Sequence, residues 1–466
     1  AWRIEDREFL HEILLSDAVL IHEDYSGFNH YKTYWDINIL ADQLLLLYRE
    51  LREANHNMAD DFLAILNKLI ELDCVGMNNI HLRSDLIASI YNDLGCYSES
   101  ITEKIKYFRK AYELYPENIT FTLNLASSLI SNSEYADADE LMDIILKHID
   151  ENYVSGKTKH LIYSTKLESA IHNNQSEIGY FSRKLLTNAI EDFKVSSKTM
   201  SSVNLANYWN QNYSGLLSTI TTADAARNKG AENSYDAALF HKGVLLRSQN
   251  YRANNILNSN DTLLIKYYNK YCYEQQHNTD SVDFYEKTML YYYSLHPEFL
   301  KGEITPSWKD VRSKLSNKDV AIEFSTMLDT GDDQLYYVAL ILAKQFETPK
   351  LIRLCKCNDL YSLINNKQKN GYSIAYDEYI DGVNVIYSLI WSHLEEHLKG
   401  YKNIFFSPCD QLNFINLECL AKKNGGKRMN EIYNMRRVST TGNIPSCDID
   451  IKSVVLYGGI DYNNTL

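Results

Sequence analysis

The sequence contains no run of 18 apolar residues, no CxxC pair and no excess of basic charge. The first absence leaves no segment long enough to cross a bilayer as a helix; Leu44 to Leu47 is only the apolar stripe of an amphipathic helix. The eight cysteines (Cys74, Cys96, Cys272, Cys355, Cys357, Cys409, Cys419, Cys447) are scattered and form no dense secreted-type framework, which points to a reducing cytoplasm. Cys355 and Cys357 are expected on one face of a strand, as core or edge packing. With 47 basic against 61 acidic residues the net charge is −14, and this disfavours a phosphate-backbone binder, which needs a basic face to displace counterions. Neither nucleic acid nor membrane is therefore expected as a direct ligand. The short basic cluster Lys422 to Arg428 surrounds Gly425-Gly426 and reads as a solvated loop. No signal peptide is visible, and the start at Ala1 without a methionine reads as processed or trimmed.

Several chemical signatures are missing too. There is no GxxxxGK[ST] phosphate loop, no GxSxG elbow and no dinucleotide fingerprint, and no cofactor is expected. What is present is a globular composition, 45% hydrophobic and 23% charged. At 466 residues the chain exceeds what one core supports, so at least two domains are expected.

Up to about residue 250 the period is helical and proline is rare. Leu40, Leu44, Leu47, Tyr48 and Leu51 share one helical face, and Phe62, Ile65, Leu66 and Leu69 repeat the pattern. Short helices that cannot bury their faces alone usually stack as repeats. If Ala126 is the small residue at position 8 of a 34-residue unit, Ala138 falls at position 20; one period earlier Ala111 falls at position 27 and Pro116 at position 32. This phasing resembles a tetratricopeptide (TPR) repeat, with units near 85 to 118 and 119 to 152. Asn92 and Lys104 stand where small residues are expected, and in the next unit His160 and His172 do. An irregular helical array is the competing reading. Either predicts a concave scaffold suited to a protein partner. Residues 235 to 300 are again helical and tyrosine-rich, with Tyr235, Leu239, Leu246, Leu263, Ile265, Tyr267 and Tyr268 read as core of linking helices.

The pattern changes at Ile304. Ser307 can cap a helix beginning at Trp308, with Asp310 completing a capping box and Trp308, Val311 and Leu315 facing inward. Val320, Ile322 and Phe324 then alternate with Ala321, Glu323 and Ser325 as a strand. A turn at Asp329 to Asp333 leads into Leu335 to Leu342, a strand buried on both faces, and Leu351 to Leu354 makes a third. A helix from about Gly382 to Leu398 turns Val383, Ile386, Tyr387, Ile390, Leu394 and Leu398 inward; strands at 403 to 406, 432 to 438 and 453 to 457 follow. The fold expected is thus an N-terminal TPR-like α-helical solenoid followed by a partial α/β domain, with an array at 1–250, linking helices at 251–303 and the α/β part at 304–466.

His393-Leu394-Glu395-Glu396-His397 is formally HxxEH, the inverted zinc-peptidase signature, and on one helix both imidazoles share a face. Leu394 and Leu398 mark the core side, no third ligand is identifiable, and no metal site is assigned. Cys409 follows a strand directly, within the segment Asn403 to Thr441 toward which the rest of the chain leads; turn packing is its expected role.

Five ordered blocks carry a family likeness. Asp319 to Phe324, Ile404 to Leu412, Leu417 to Leu420, Tyr433 to Thr440 and Leu456 to Tyr462, together with Tyr235 to Leu246 and Trp308 to Leu315, resemble the CHAT domain and linking helices of bacterial TPR-CHAT proteins. That family is caspase-like. The positions that match it are Glu323, Ser407, Pro408, Asp410, Glu418, Arg437, Ser439, Thr440, Tyr457, Gly458 and Gly459, and their expected work is structural, with Glu418, Arg437 and Ser439 shaping the sheet through hydrogen bonds.

The resemblance implies a cysteine endopeptidase of the caspase and separase type. In that chemistry a histidine activates a cysteine thiolate and backbone N–H groups hold the oxyanion. In the family the dyad follows the Tyr-Gly-Gly segment, so here it is expected beyond Leu466, and no catalytic residue is assigned within the chain, which contains no His-Gly pair. The expected arrangement is a sensor array, binding a protein or ribonucleoprotein partner, fused to the non-catalytic part of a protease whose substrate is protein. A TPR scaffold with a degenerate CHAT part is the alternative, and a zinc hydrolase through His393 and His397 is a second.

Overall fold

The computed structural model describes residues 30–54, 66–67, 70, 82–151, 154–277, 279–296, 298–299, 305–365, 384–423 and 425–444. The expected strand at 453 to 457, with Tyr457, Gly458 and Gly459, lies outside them, as does Cys74. The described chain forms two compact units: residues 1–154 with 168–173, and residues 155–167 with 174–466.

The first unit is helical: α1 (His30–Glu53), α2 (Ser84–Tyr97), α3 (Ile101–Leu114), α4 (Ile119–Ser131) and α5 (Tyr135–Glu151). From the expected stripe of α1, Leu44, Tyr48 and Leu51 are buried against Leu86, Ile90 and Leu94 of α2. Helices α2 and α3, then α4 and α5, pack as consecutive pairs joined by short turns. Ala88, Ala111 and Phe121 form one small core, and Ala126 and Ala138 have no exposed surface, so helix backbones approach closely at these alanines. Asn92, the polar residue at a small-residue position, is buried and accepts a 2.8 Å hydrogen bond from Asn124 Nδ2 of α4. That bond satisfies a group which would otherwise carry an unpaired desolvation penalty. His172 stacks on Tyr135 with centroids 4.3 Å apart.

The second unit continues with α6 (Gly156–Asn173, of which 168–173 group with the first unit), α7 (Ile178–Thr199), α8 (Ser202–Tyr213), α9 (Leu216–Arg227), α10 (Glu232–His241), α11 (Val244–Leu257), α12 (Thr262–His277), α13 (Val282–Ser294) and α14 (Trp308–Lys314). Leu264, Tyr271, Met289, Leu290 and Tyr293 form the core of the tyrosine-rich segment, with Ile265, Tyr267 and Tyr268 partly buried against it. Leu246 and Leu263, expected in that core, are exposed; each sits near the start of its helix.

Ser307 caps α14 as the sequence indicates, its Oγ accepting from Asp310 N while Asp310 Oδ2 accepts from Ser307 N. Trp308, Val311 and Leu315 are buried. Ser307→Ala is expected to cost about 1 kcal/mol, read as a shift in the urea midpoint with an unchanged slope; an unshifted midpoint would show that the box contributes nothing.

The sheet follows, with β1 (Asp319–Asp329), β2 (Gln334–Ala343) and β3 (Lys350–Lys356), then α15 (Cys357–Asn365), α16 (Asn384–Leu389), α17 (Glu395–Leu398), β4 (Asn403–Ser407), α18 (Met429–Ile432) and β5 (Asn434–Arg437). Among the described residues it has five strands in the order β3-β2-β1-β4-β5. The β1–β2 and β2–β3 pairs are antiparallel, and the β1–β4 and β4–β5 pairs are parallel. The sheet is therefore mixed. One face, with Val320, Ile322, Phe324, Ile404 and Phe406, packs on Trp391, Leu394 and Leu398. The other face of β1 is covered by α9: Thr221 Oγ1 and Ser325 Oγ lie 3.2 Å apart, and Leu328 N donates to Thr222 Oγ1.

Two expectations are corrected. Strand β3 ends at Lys356 and Cys357 opens α15, so Cys355 and Cys357 do not share a strand face; the hydrophobic spacing of Leu360 and Ile364 continues as a helix. The single helix expected to reach Leu398 is broken, because residues 390–394 form turns between α16 and α17. Ile386, Tyr387, Ile390, Leu394 and Leu398 are nevertheless all buried. Among the described residues no helix is long and apolar enough to cross a membrane.

Candidate functional site

Strand register builds the site. Glu323 of β1 pairs with Ser407 of β4, and paired residues of parallel strands project on the same face. Both side chains lie where the parallel ladder of β1 and β4 ends, and both are fully buried. A buried carboxylate needs a cation and a full set of donors, and the fold supplies both.

The cation is Lys242, directly after α10. Gly243 takes φ 72°, a left-handed conformation that glycine adopts without steric cost and that ends the helix. The Lys242 Nζ lies 2.8 Å from Glu323 Oε2, 2.8 Å from the Ser407 carbonyl and 3.0 Å from Ser407 Oγ. Those three acceptors use all three ammonium protons. Glu323 Oε1 accepts from Thr440 Oγ1 (3.1 Å), Thr441 N (2.5 Å) and Thr441 Oγ1 (2.8 Å). Ser407 Oγ in turn donates to the Ser439 carbonyl at 2.9 Å. With the Thr441 hydroxyl proton committed to the carboxylate, Tyr235 donates to Thr441 Oγ1 at 2.9 Å. Burial raises the Tyr235 phenol well above its ordinary value, which keeps it a donor.

This network ties α10, β1, β4 and the loop after β5 together through groups far apart in sequence. The ammonium protons are all used, and the carboxylate is fully buried with both oxygens engaged, so neither group is open to a substrate atom. Its chemistry is positioning.

Of the other described positions named for the likeness, Asp410 on one side and Glu418 with Arg437 on the other hold two further clusters. Asp410 takes φ 44°, a conformation that Asp tolerates better than most residues, and its Oδ2 accepts from Tyr337 OH at 2.7 Å. Burial, reinforced by that bond and by the Asp410 charge, raises the Tyr337 phenol. Pro408 is buried and Cys409 half-buried between Ser407 and Asp410. Glu418 and Arg437 form a two-pronged ion pair, Nε to Oε1 at 3.1 Å and Nη2 to Oε2 at 3.0 Å. The same guanidinium donates to the Asn413 and Ile415 carbonyls and lies over the Phe406 ring, bracing β5 against the loop after β4. Ser439 Oγ accepts from Asn443 Nδ2 at 3.0 Å.

A nucleophilic cysteine must ionise near neutral pH. Burial instead pushes the Cys409 thiol up to about 12, and it packs against the sheet core, as turn packing requires. His393 lies in the turn before α17 and His397 within it. Among the described residues no group of three or more His, Cys, Asp or Glu side chains is placed to hold a metal.

Sequence reasoning did not single out Lys242 or Thr441. The available signal was Glu323 itself, because a carboxylate inside an apolar strand implies a buried cation elsewhere. No protein-family model matches the chain. No curated protein matches it either.

Proposed function

We propose that the chain is the sensor and the non-catalytic part of a TPR-CHAT cysteine endopeptidase. On this reading the helical array binds a protein or ribonucleoprotein partner, and partner binding controls peptide-bond cleavage by a His/Cys dyad that the described residues do not contain. The observation that carries the reading is the convergence of Glu323, Ser407, Ser439 and Thr440 on one network with Lys242. These four residues come from three of the ordered blocks on which the family likeness rests. A link between a helix near the end of the array and the strand ends is what a control mechanism of this kind needs, since displacing α10 moves Lys242 and with it the turn after β4.

The raised thiol of Cys409 favours a second reading, an interaction scaffold whose α/β part performs no catalysis. Both readings are tested with a proteome-derived peptide library, incubated with the native full-length protein with and without its co-purifying partner. Cleavage that needs the partner and is blocked by iodoacetamide is the expected result. Cleavage indifferent to the partner removes control by the array, and an absence of cleavage in both arms supports the scaffold. Residues 1–466 alone are expected to cleave nothing, and thiol-sensitive cleavage by them would overturn the first reading.

A further inference from the structure

Helices α7, α11 and α13 border a cleft remote in character from the rest of this acidic chain. Among the described residues its lining includes four cationic side chains, Lys194, Lys198, Arg247 and Arg252, and no carboxylate. Tyr251 and Tyr293 stand among the aromatic walls. In a protein of net charge −14, such a cluster concentrates positive potential in a concave site. The volume of the cleft is about 40 Å³, room for roughly three waters at about 10–15 Å³ each.

The two guanidiniums are fixed in place. Arg252 is buried and donates through Nη2 to the carbonyls of Ser197 and Met200 at the end of α7. Arg247 donates to the carbonyls of Phe240 and Lys242 at 2.8 and 2.6 Å. Lys194 and Lys198 lie one helical turn apart on α7, half-buried, and neither ammonium is hydrogen-bonded or ion-paired among the described residues. The carboxylate nearest in effect to Arg252 is Glu286, whose Oε1 already accepts from Ser202 N at 2.7 Å. Burial lowers the pKa of Arg252, so an anion in the cleft would relieve a cost already present.

We propose that this cleft binds the phosphoryl group of a small phosphorylated molecule, with Arg247 and Arg252 as the fixed donors and Lys194 and Lys198 closing over it. The proposal does not rest on the protease reading. It also gives the ligand a route to the candidate site, because Arg247 holds the turn from which Lys242 reaches Glu323.

The test is calorimetric titration of the full chain with inorganic phosphate and with phenyl phosphate, against sodium chloride at matched ionic strength. Both phosphates are expected to bind saturably at millimolar concentration or below, with chloride inert. Tighter binding of phenyl phosphate assigns an aryl ester as the ligand through Tyr251 and Tyr293, whereas equal binding assigns free phosphate. Lys194→Gln with Lys198→Gln, at half-exposed positions, should keep the native circular dichroism and weaken phosphate at least tenfold. Amide exchange at Lys242 and Gly243 should slow on binding in the unsubstituted protein only. An absence of saturable binding, or equal affinity in the double variant, overturns the proposal.

Discussion

Lys242→Ala is expected to lower the unfolding free energy by about 3–5 kcal/mol, the range found when one partner is removed from a buried ion pair. Glu323 has no exposed surface, so removing the ammonium leaves its carboxylate in a low-dielectric site without a counter-charge. The three donors from Thr440 and Thr441 soften this penalty without cancelling it. The Ser407 carbonyl also loses its Lys242 donor. Replacing both charges, Lys242→Met with Glu323→Gln, is expected to cost less than Lys242→Ala, because an amide keeps an acceptor for the threonines and methionine fills the channel of the lysine stem. Urea unfolding of Lys242→Met, Glu323→Gln and the double variant closes the cycle. A loss for Lys242→Ala within the surface range of about 0.5 kcal/mol would show that the network does not hold the fold.

The sheet was legible in the sequence because its strands alternate or run apolar between clear turns: β1 to β3, the Asp329 to Asp333 turn and β4 all fall where the pattern places them. The helix pairs at 85 to 118 and 119 to 152 were legible through small residues, Ala111, Ala126 and Ala138, spaced for close packing. Burial of the second sheet face was harder to read. Ala321, Glu323 and Ser325 have the composition of a solvent-facing edge, and they are buried because α9 presents the hydroxyls of Thr221 and Thr222 to that side. A helix covering small and polar strand residues leaves no hydrophobic signature on the strand. Lys242 was illegible for a related reason. It follows a helix and precedes a glycine, like many solvated lysines, and only the tertiary fold brings it to a carboxylate 81 residues away. The break at residues 390–394 carries no proline or glycine, so local pattern could not announce it.

Acid is expected to destabilise the second unit through His160 before its carboxylates are fully titrated. Burial pushes the His160 imidazole down to about 4 against the opposing pull of Asp192, and its Nδ1 is buried without a hydrogen-bond partner among the described residues. Its ring stands edge-on to Tyr213, 4.6 Å between centroids, beside the carboxylate of Asp192 that accepts from Tyr208 and Tyr213 at 2.6 Å each. On the far side of the same aromatic cluster His241 lies 5.4 Å from Trp209, and its pKa is also lowered, by burial first and then by the Lys242 charge. A histidine whose folded pKa lies below its unfolded value near 6.5 contributes in full above that value. As pH falls from about 6.5 toward 4 the unfolded chain takes up the proton first, and stability is lost across that window. For His160 the ceiling is about 3 kcal/mol, from about 1.4 kcal/mol per pKa unit. Asp224, buried, and Asp236, half-buried, whose pKa values are raised by desolvation, act with the opposite sign, so the decisive measurement is a comparison. His160→Phe keeps a ring against Tyr213 and removes the titrating nitrogen. Between about pH 7.5 and about pH 4.5 it should lose less stability in urea than the unsubstituted protein, by up to that same ceiling of about 3 kcal/mol. Parallel stability curves for the two proteins would show that His160 is as free to protonate in the folded state as in the unfolded one.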